Sequence, residues 1–153
     1  MDTVKLIVLG MHNSLRWLIL GLGILTLIKM YSGWIRNKPW ASSDRKTGLF
    51  FTIALDIQLL LGFLLYFVFS DLVRTAFSDF GNAMNNPVLR FFSVEHSAIM
   101  LIAVVVGHIG ASIGKKELED KQKFIRSAIV YTISIALIII GIPWSLRPLL
   151  PGF

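Results

Sequence analysis

Hydrophobic positions along this chain collect into four long blocks separated by shorter polar stretches. The blocks run Val4 to Tyr31, Gly48 to Ser70, Phe91 to Ile113 and Ile125 to Trp144. Each is about as long as the ~20 residues needed to cross a ~30 Å hydrocarbon core. The pattern predicts an all-α integral membrane protein, with transmembrane helices over 4–33, 48–70, 91–114 and 124–144. Short polar connections between long helices favour antiparallel neighbours. The expected architecture is an up-down-up-down four-helix transmembrane bundle, one domain spanning 1–153.

The longest connection, 71–90, has its own pattern. Leu72, Val73, Ala76, Phe77 and Phe80 recur at helical spacing, which predicts a short amphipathic helix lying on the membrane surface. Gly81-Asn82 and Asn85-Asn86-Pro87 then read as turns. Two roles are open to this segment: an ordinary interfacial loop, or a lid over a cofactor beneath it. The first connection carries Pro39 and Ser42-Ser43. Helix four is expected to stop near Pro143, with Pro148 and Pro151 stiffening a tail.

Composition agrees with the pattern. The chain has 153 residues, 55% of them hydrophobic, and a mean hydropathy of +0.71, more apolar than a usual soluble domain. It contains no cysteine, which excludes disulfides, iron–sulfur clusters, thiolate zinc and covalent c-type haem. The start, Met-Asp-Thr-Val-Lys, shows no small-residue cleavage site after the apolar run, so the first helix is expected to be retained. The net charge of +6 is no nucleic-acid signal, because its placement follows the helices. Arg36, Lys38, Arg45 and Lys46 lie between blocks one and two, and Lys115, Lys116, Lys121, Lys123 and Arg126 between blocks three and four. The middle connection holds only Arg74 and Arg90. By the positive-inside rule the first and third loops are cytoplasmic, and both termini lie outside. A multi-pass protein of the bacterial inner membrane is expected, with lipid as its surroundings.

Ionisable groups within a bilayer are costly, so each asks for a reason. They are His12, Arg16, Asp56, Glu95, His96 and His108, with Gln58 beside them. From a rise of ~1.5 Å per residue, His96 lies on the order of 10 Å outward of the midplane and His12 about 15 Å. In this topology helices one and three are diagonal, so His12 and His96 face each other across the bundle. Axial ligands from opposite faces are what a haem iron requires, and histidine is a usual b-type ligand. Gly62 and Gly141 fall at this depth and would leave room for ring edges. Arg16, Arg90 and Arg147 are candidate cations for the propionates. Glu95 points ~100° away from His96 around the helix, towards either Arg16 or His12. His108, ~18 Å deeper than His96, cannot share that iron, and it pairs by depth with Asp56. Asp56 and Gln58 cannot both face the axis. Gly107, Gly110 and Gly114 on helix three predict tight packing or an interface with another subunit.

His12-Asn-Ser-Leu-Arg-Trp17, Asp56-Ile-Gln-Leu-Leu-Leu-Gly62, Val94-Glu-His96 and Ile142-Pro-Trp-Ser-Leu-Arg-Pro148 together resemble the small four-helix cytochrome b-like membrane proteins of Bacteroidota. That resemblance implies haem b. More loosely, the order of His12, Gln58 to Gly62 and His96 is similar to one four-helix half of haem A synthase. There a glutamate stands four residues before a histidine; here those places hold Val8 and Phe92, so only haem holding carries over. The expected function is a haem b membrane protein in electron transfer, with one non-covalent haem and with quinone or a respiratory complex as partner. The alternative is a non-haem accessory or assembly subunit of a larger membrane complex. No motif names a substrate or a reaction.

Overall fold

The computed structural model describes residues 2–144. The expected tail with Arg147, Pro148 and Pro151 lies outside the described residues. Among the described residues all secondary structure is helical. Its elements are α1 (Asp2–Ile35), α2 (Ser42–Phe69), α3 (Asp71–Ser78), α4 (Phe80–Asn85), α5 (Pro87–Ile113) and α6 (Asp120–Gly141). The four longest, α1, α2, α5 and α6, are long and apolar enough to cross a membrane. Helix α1 packs on α2 and α6, and α5 packs on the same two. Helices α1 and α5 therefore face each other across the bundle.

The inward faces keep a near-heptad spacing. Helix α1 buries Ile19, Gly23, Thr26, Met30 and Gly33 at alternating steps of four and three. Helix α6 does the same with Phe124, Ala128, Tyr131, Ile135 and Ile138. This is the seam of helices packed at a shallow crossing angle. The dense core occupies the end of the bundle that carries the two short connections, centred on Met30, Phe51 and Phe124. Lipid tails are as apolar as leucine, so close packing and interhelical hydrogen bonds hold such helices together. Tyr131 is wedged between Gly48 of α2 and Gly110 of α5, where a side chain of either glycine would run into its ring. Ser134 Oγ donates to the Ala103 carbonyl at 2.8 Å, and the Tyr31 and Thr132 hydroxyls meet at 3.0 Å.

Several boundaries differ from those read along the sequence. Helix α2 starts at Ser42 rather than at position 48, because the Asp44 carboxylate accepts from the Ala41 N–H at 3.0 Å and is met by Lys29 at 3.2 Å. Ser42-Ser43 thus open the helix instead of sitting in the loop. Helix α1 runs on to Ile35 and ends in a Schellman turn, with Lys38 N–H on the Gly33 carbonyl at 3.0 Å and Asn37 at φ 47°. Gly81-Asn82 is not a turn but part of α4, since Asp79 accepts from the Asn82 N–H at 3.2 Å. Helix α5 starts at Pro87, not at 91: Asn86 Oδ1 accepts from the N–H groups of Val88 and Leu89 at 3.0 and 3.1 Å, and proline suits a first helical position. The α5 glycines do not form an outward face for another subunit. Gly107 and Gly110 are buried against Leu55, Ser134 and Tyr131, and Gly114 lies against Trp40.

A Cβ at Gly110 would come 2.8 Å from Tyr131 Cε1. Gly110→Val is expected to cost about 1–3 kcal/mol through overpacking. Denaturant unfolding of the detergent-solubilised protein, followed by loss of Tyr131 burial, checks this.

Candidate cofactor site

The opposite end of the bundle, beneath α3 and α4, is hollow. Two local features shape it. The last residues of α2, Leu65–Phe69, and the stretch Phe91–Glu95 of α5 are wound as π-helix. Each wider turn takes up an extra residue and rotates the side chains beyond it about the helix axis. In α5 the His96 N–H bonds to the Phe91 carbonyl, and the Ser93 carbonyl is left to accept from Tyr66 Oη at 2.6 Å. Such π-bulges are frequent at functional sites. Here the one in α5 ends where His96 begins.

His12 and His96 meet across the bundle with ring centroids 6.4 Å apart and planes at 67°. His12 reaches this place because the α1 seam, continued from Ile19 through Arg16, turns it inward. Its backbone carbonyl accepts from Gln58 Nε2 of α2 at 3.0 Å. Its Nδ1 is buried and makes no hydrogen bond. Gly62 lies against the ring edge, where an added Cβ would be 3.4 Å from His12 Cε1. His96 Nδ1 is 2.7 Å from the Gly141 carbonyl of α6. A carbonyl only accepts, so Nδ1 carries the proton, and the neutral ring keeps its lone pair on Nε2. Bonds of this kind orient metal-ligating imidazoles.

Both histidines line a cavity of about 400 Å³. Its walls towards the dense core are apolar, with Ile19, Leu55, Ala103 and Val104. Aromatic rings of Phe63, Phe67 and Phe92 also line it, Phe92 against His96, and Arg16, Asn13, Lys5 and Ser70 add the polar groups. Lys5 was not among the residues singled out from the sequence. The signal was present, since it precedes His12 by seven positions and so shares its helix face.

The segment above the cavity packs one face against it. Helix α3 buries Val73 and Ala76, and Val73 lines the cavity, while Phe77 and Phe80 stack together on the outside. Asp71 ties this helix to α1. One carboxylate oxygen meets Lys5 Nζ at 2.7 Å and the other meets Arg74 at 2.6 Å. Those two cations hold the Asp71 carboxyl below its ordinary value, at about 2.

The remaining predicted residues separate. Arg16 is buried and lines the cavity. Gly141 makes no room for a ring edge, because a Cβ there would sit 2.8 Å from Met100; it lets α5 approach α6 and supplies the carbonyl for His96. Arg90 does not reach the cavity. Its Nε meets Glu95 at 2.6 Å and its Nη1 donates to the Met84 carbonyl at 3.0 Å. That pair also accounts for Glu95, which the sequence had left between Arg16 and His12. Arg147 lies outside the described residues. Gln58, not Asp56, is the α2 residue turned towards the axis. Asp56 meets His108 at 2.7 Å on the outside of the bundle. Among the described residues no three His, Cys, Asp or Glu side chains gather to hold a metal ion by themselves. No family model, curated protein or solved structure matches this chain.

Asp71→Asn is expected to loosen α3 from α1 and raise hydrogen exchange over 71–78. A depressed carboxyl keeps its ion pairs throughout the range above its unfolded value near pH ~4 and gives them up only as pH falls through about 2. Exchange over α3, corrected for the intrinsic rate, is therefore expected to stay flat from pH 7 down to the ordinary carboxylate range. Exchange over 71–78 that is the same in the wild type and in Asp71→Asn would show that the latch does not hold the helix.

Proposed function

We propose that this chain is a multi-pass protein of the bacterial inner membrane that holds one haem b, non-covalently, between His12 and His96, and serves electron transfer. One observation carries the reading: two imidazoles opposed across the bundle at 6.4 Å in the wall of an apolar cavity. An ion bound by one nitrogen of each of two opposed imidazoles, at about 2.0 Å per bond, sets the ring centres roughly 6 Å apart. The surroundings suit the same group. His12 keeps a buried ring nitrogen without a hydrogen bond, and Gly62 leaves its edge clear. The cavity volume of about 400 Å³ falls within the usual range for cofactor sites. The motif resemblance to cytochrome b-like proteins points the same way.

When bound, the haem would supply one-electron redox chemistry. The chain's own residues hold and shield it. The Gly141 carbonyl fixes the tautomer and tilt of His96. Gln58 ties the backbone of His12 to α2. Phe63, Phe67 and Phe92 would give the pocket apolar walls. Arg16 would offer positive charge to carboxylate substituents, while Lys5 at the rim is held by Asp71. The excess of Lys and Arg in the two short connections puts those on the cytoplasmic side. The site then lies in the outer half of the bilayer, and quinone, a respiratory complex or a periplasmic carrier is the expected redox partner.

The test is a reduced-minus-oxidised spectrum of protein purified from cells supplied with haem. An α-band of a bis-imidazole b-type centre is expected, and it should be lost in His12→Ala and in His96→Ala while helicity stays intact. Gln58→Leu is expected to weaken haem affinity, because the His12 backbone loses its tie to α2. A folded protein without an α-band, or a band that survives removal of both histidines, overturns the reading in favour of a non-haem accessory subunit.

A further inference from the structure

The Asp56–His108 pair has no part in the cavity. Asp56 is midway along α2, and its carboxylate lies 2.7 Å from His108 Nε2. Both side chains are on the outside of the bundle, with relative exposures of 46% and 51%. One turn to either side of Asp56 are Ile53 and Leu60, both exposed, and one turn before His108 is the exposed Val105. A polar pair thus stands in the middle of an apolar strip formed by α2 and α5, at a depth where lipid tails would surround it. Hydrocarbon offers no hydrogen bonds, and each of these groups has capacity left: Asp56 a second oxygen, and His108 a second ring nitrogen. Ionisable groups at such depth ordinarily face protein or water rather than lipid.

We infer that this strip is covered by a second copy of the chain, and that the Asp56–His108 pairs of the two copies meet at a two-fold axis. Complementarity and depth identify the occupant. An acceptor-rich carboxylate and an imidazole are complementary to each other, so the strip is complementary to itself. A two-fold axis along the membrane normal brings the same groups of both copies to the same depth. That is the condition for an isologous interface, in which Asp56 of one copy reaches the partner's His108 and the reverse holds too. The α5 glycines contribute nothing to this surface, since they are used inside the bundle. The inference rests on the helices spanning a membrane and is independent of any haem.

The chain's lack of cysteine makes the experiment clean. Single cysteines are placed at Ile53 and Val105 on the strip, and at Ile28 of α1 and Ile139 of α6 as controls, all four positions being exposed. Mild oxidation in native membranes is expected to give a covalent dimer, twice 17.2 kDa, from strip positions and none from the controls. Native mass spectrometry in gentle detergent is expected to show a dimer for the wild type and a folded monomer for Asp56→Leu/His108→Leu. A monomeric wild type, equal cross-linking from the control faces, or cross-links only to a different chain would each overturn the inference. Carbonate extraction tests membrane integration separately, so failure of that premise is recognised as such.

Discussion

Helix α5 lies close against α2 and α6 because its contacts fall on glycines, and the histidine end of the bundle depends on that approach. Gly110 receives the ring of Tyr131, Gly107 receives Leu55 and Ser134, and Gly141 of α6 receives Ile99 and Met100. Between helices in lipid there is little hydrophobic gain to draw them together, so close contact must come from shape. These three notches set the height and rotation of α5 relative to α6. That in turn brings His96 within 2.7 Å of the Gly141 carbonyl and opposite His12.

The two ends of the bundle do different work. Towards the short connections, Phe51, Phe124, Met30 and Tyr131 fill the axis and give the four helices a rigid base. Towards α3 and α4, the same seams carry Arg16, His12, Gln58 and His96 in place of large apolar side chains, and the axis opens into a cavity. A stable base allows the other end to be hollow. It also positions these side chains on helices rather than loops, which keeps them in register. The π-wound stretches sit at the far end of the hollow part, where α2 and α5 come next to α3 and α4.

Much of this was legible along the chain. Four apolar blocks of spanning length, short connections and alternating loop charge define helices and their antiparallel order. The depth of His12 and His96 comes from counting residues, and so does the pairing of Asp56 with His108. Helix ends were less legible, because Asp44, Asp79 and Asn86 cap helices that run into polar sequence where apolar pattern gives no guidance. The direction of side chains near the π-wound turns was not legible at all. Counting at 100° per residue cannot foresee a wider turn, and so left Glu95 between Arg16 and His12 when Arg90 holds it.

What the sequence determined by itself is four helices long and apolar enough to cross a membrane, their order and the height of each polar group along them, since these depend only on length, hydropathy and a fixed rise per residue. Which way each polar group faces was decided by the tertiary structure. Gln58 and Asp56 stand two residues apart, yet one supports the histidine pair and the other meets His108 on the outer face. The glycines of α5 could have served an outer surface or an inner one, and it is the Tyr131 ring that makes them inner. Rotation of a helix about its own axis costs nothing in hydropathy, so only contact with its neighbours can set it.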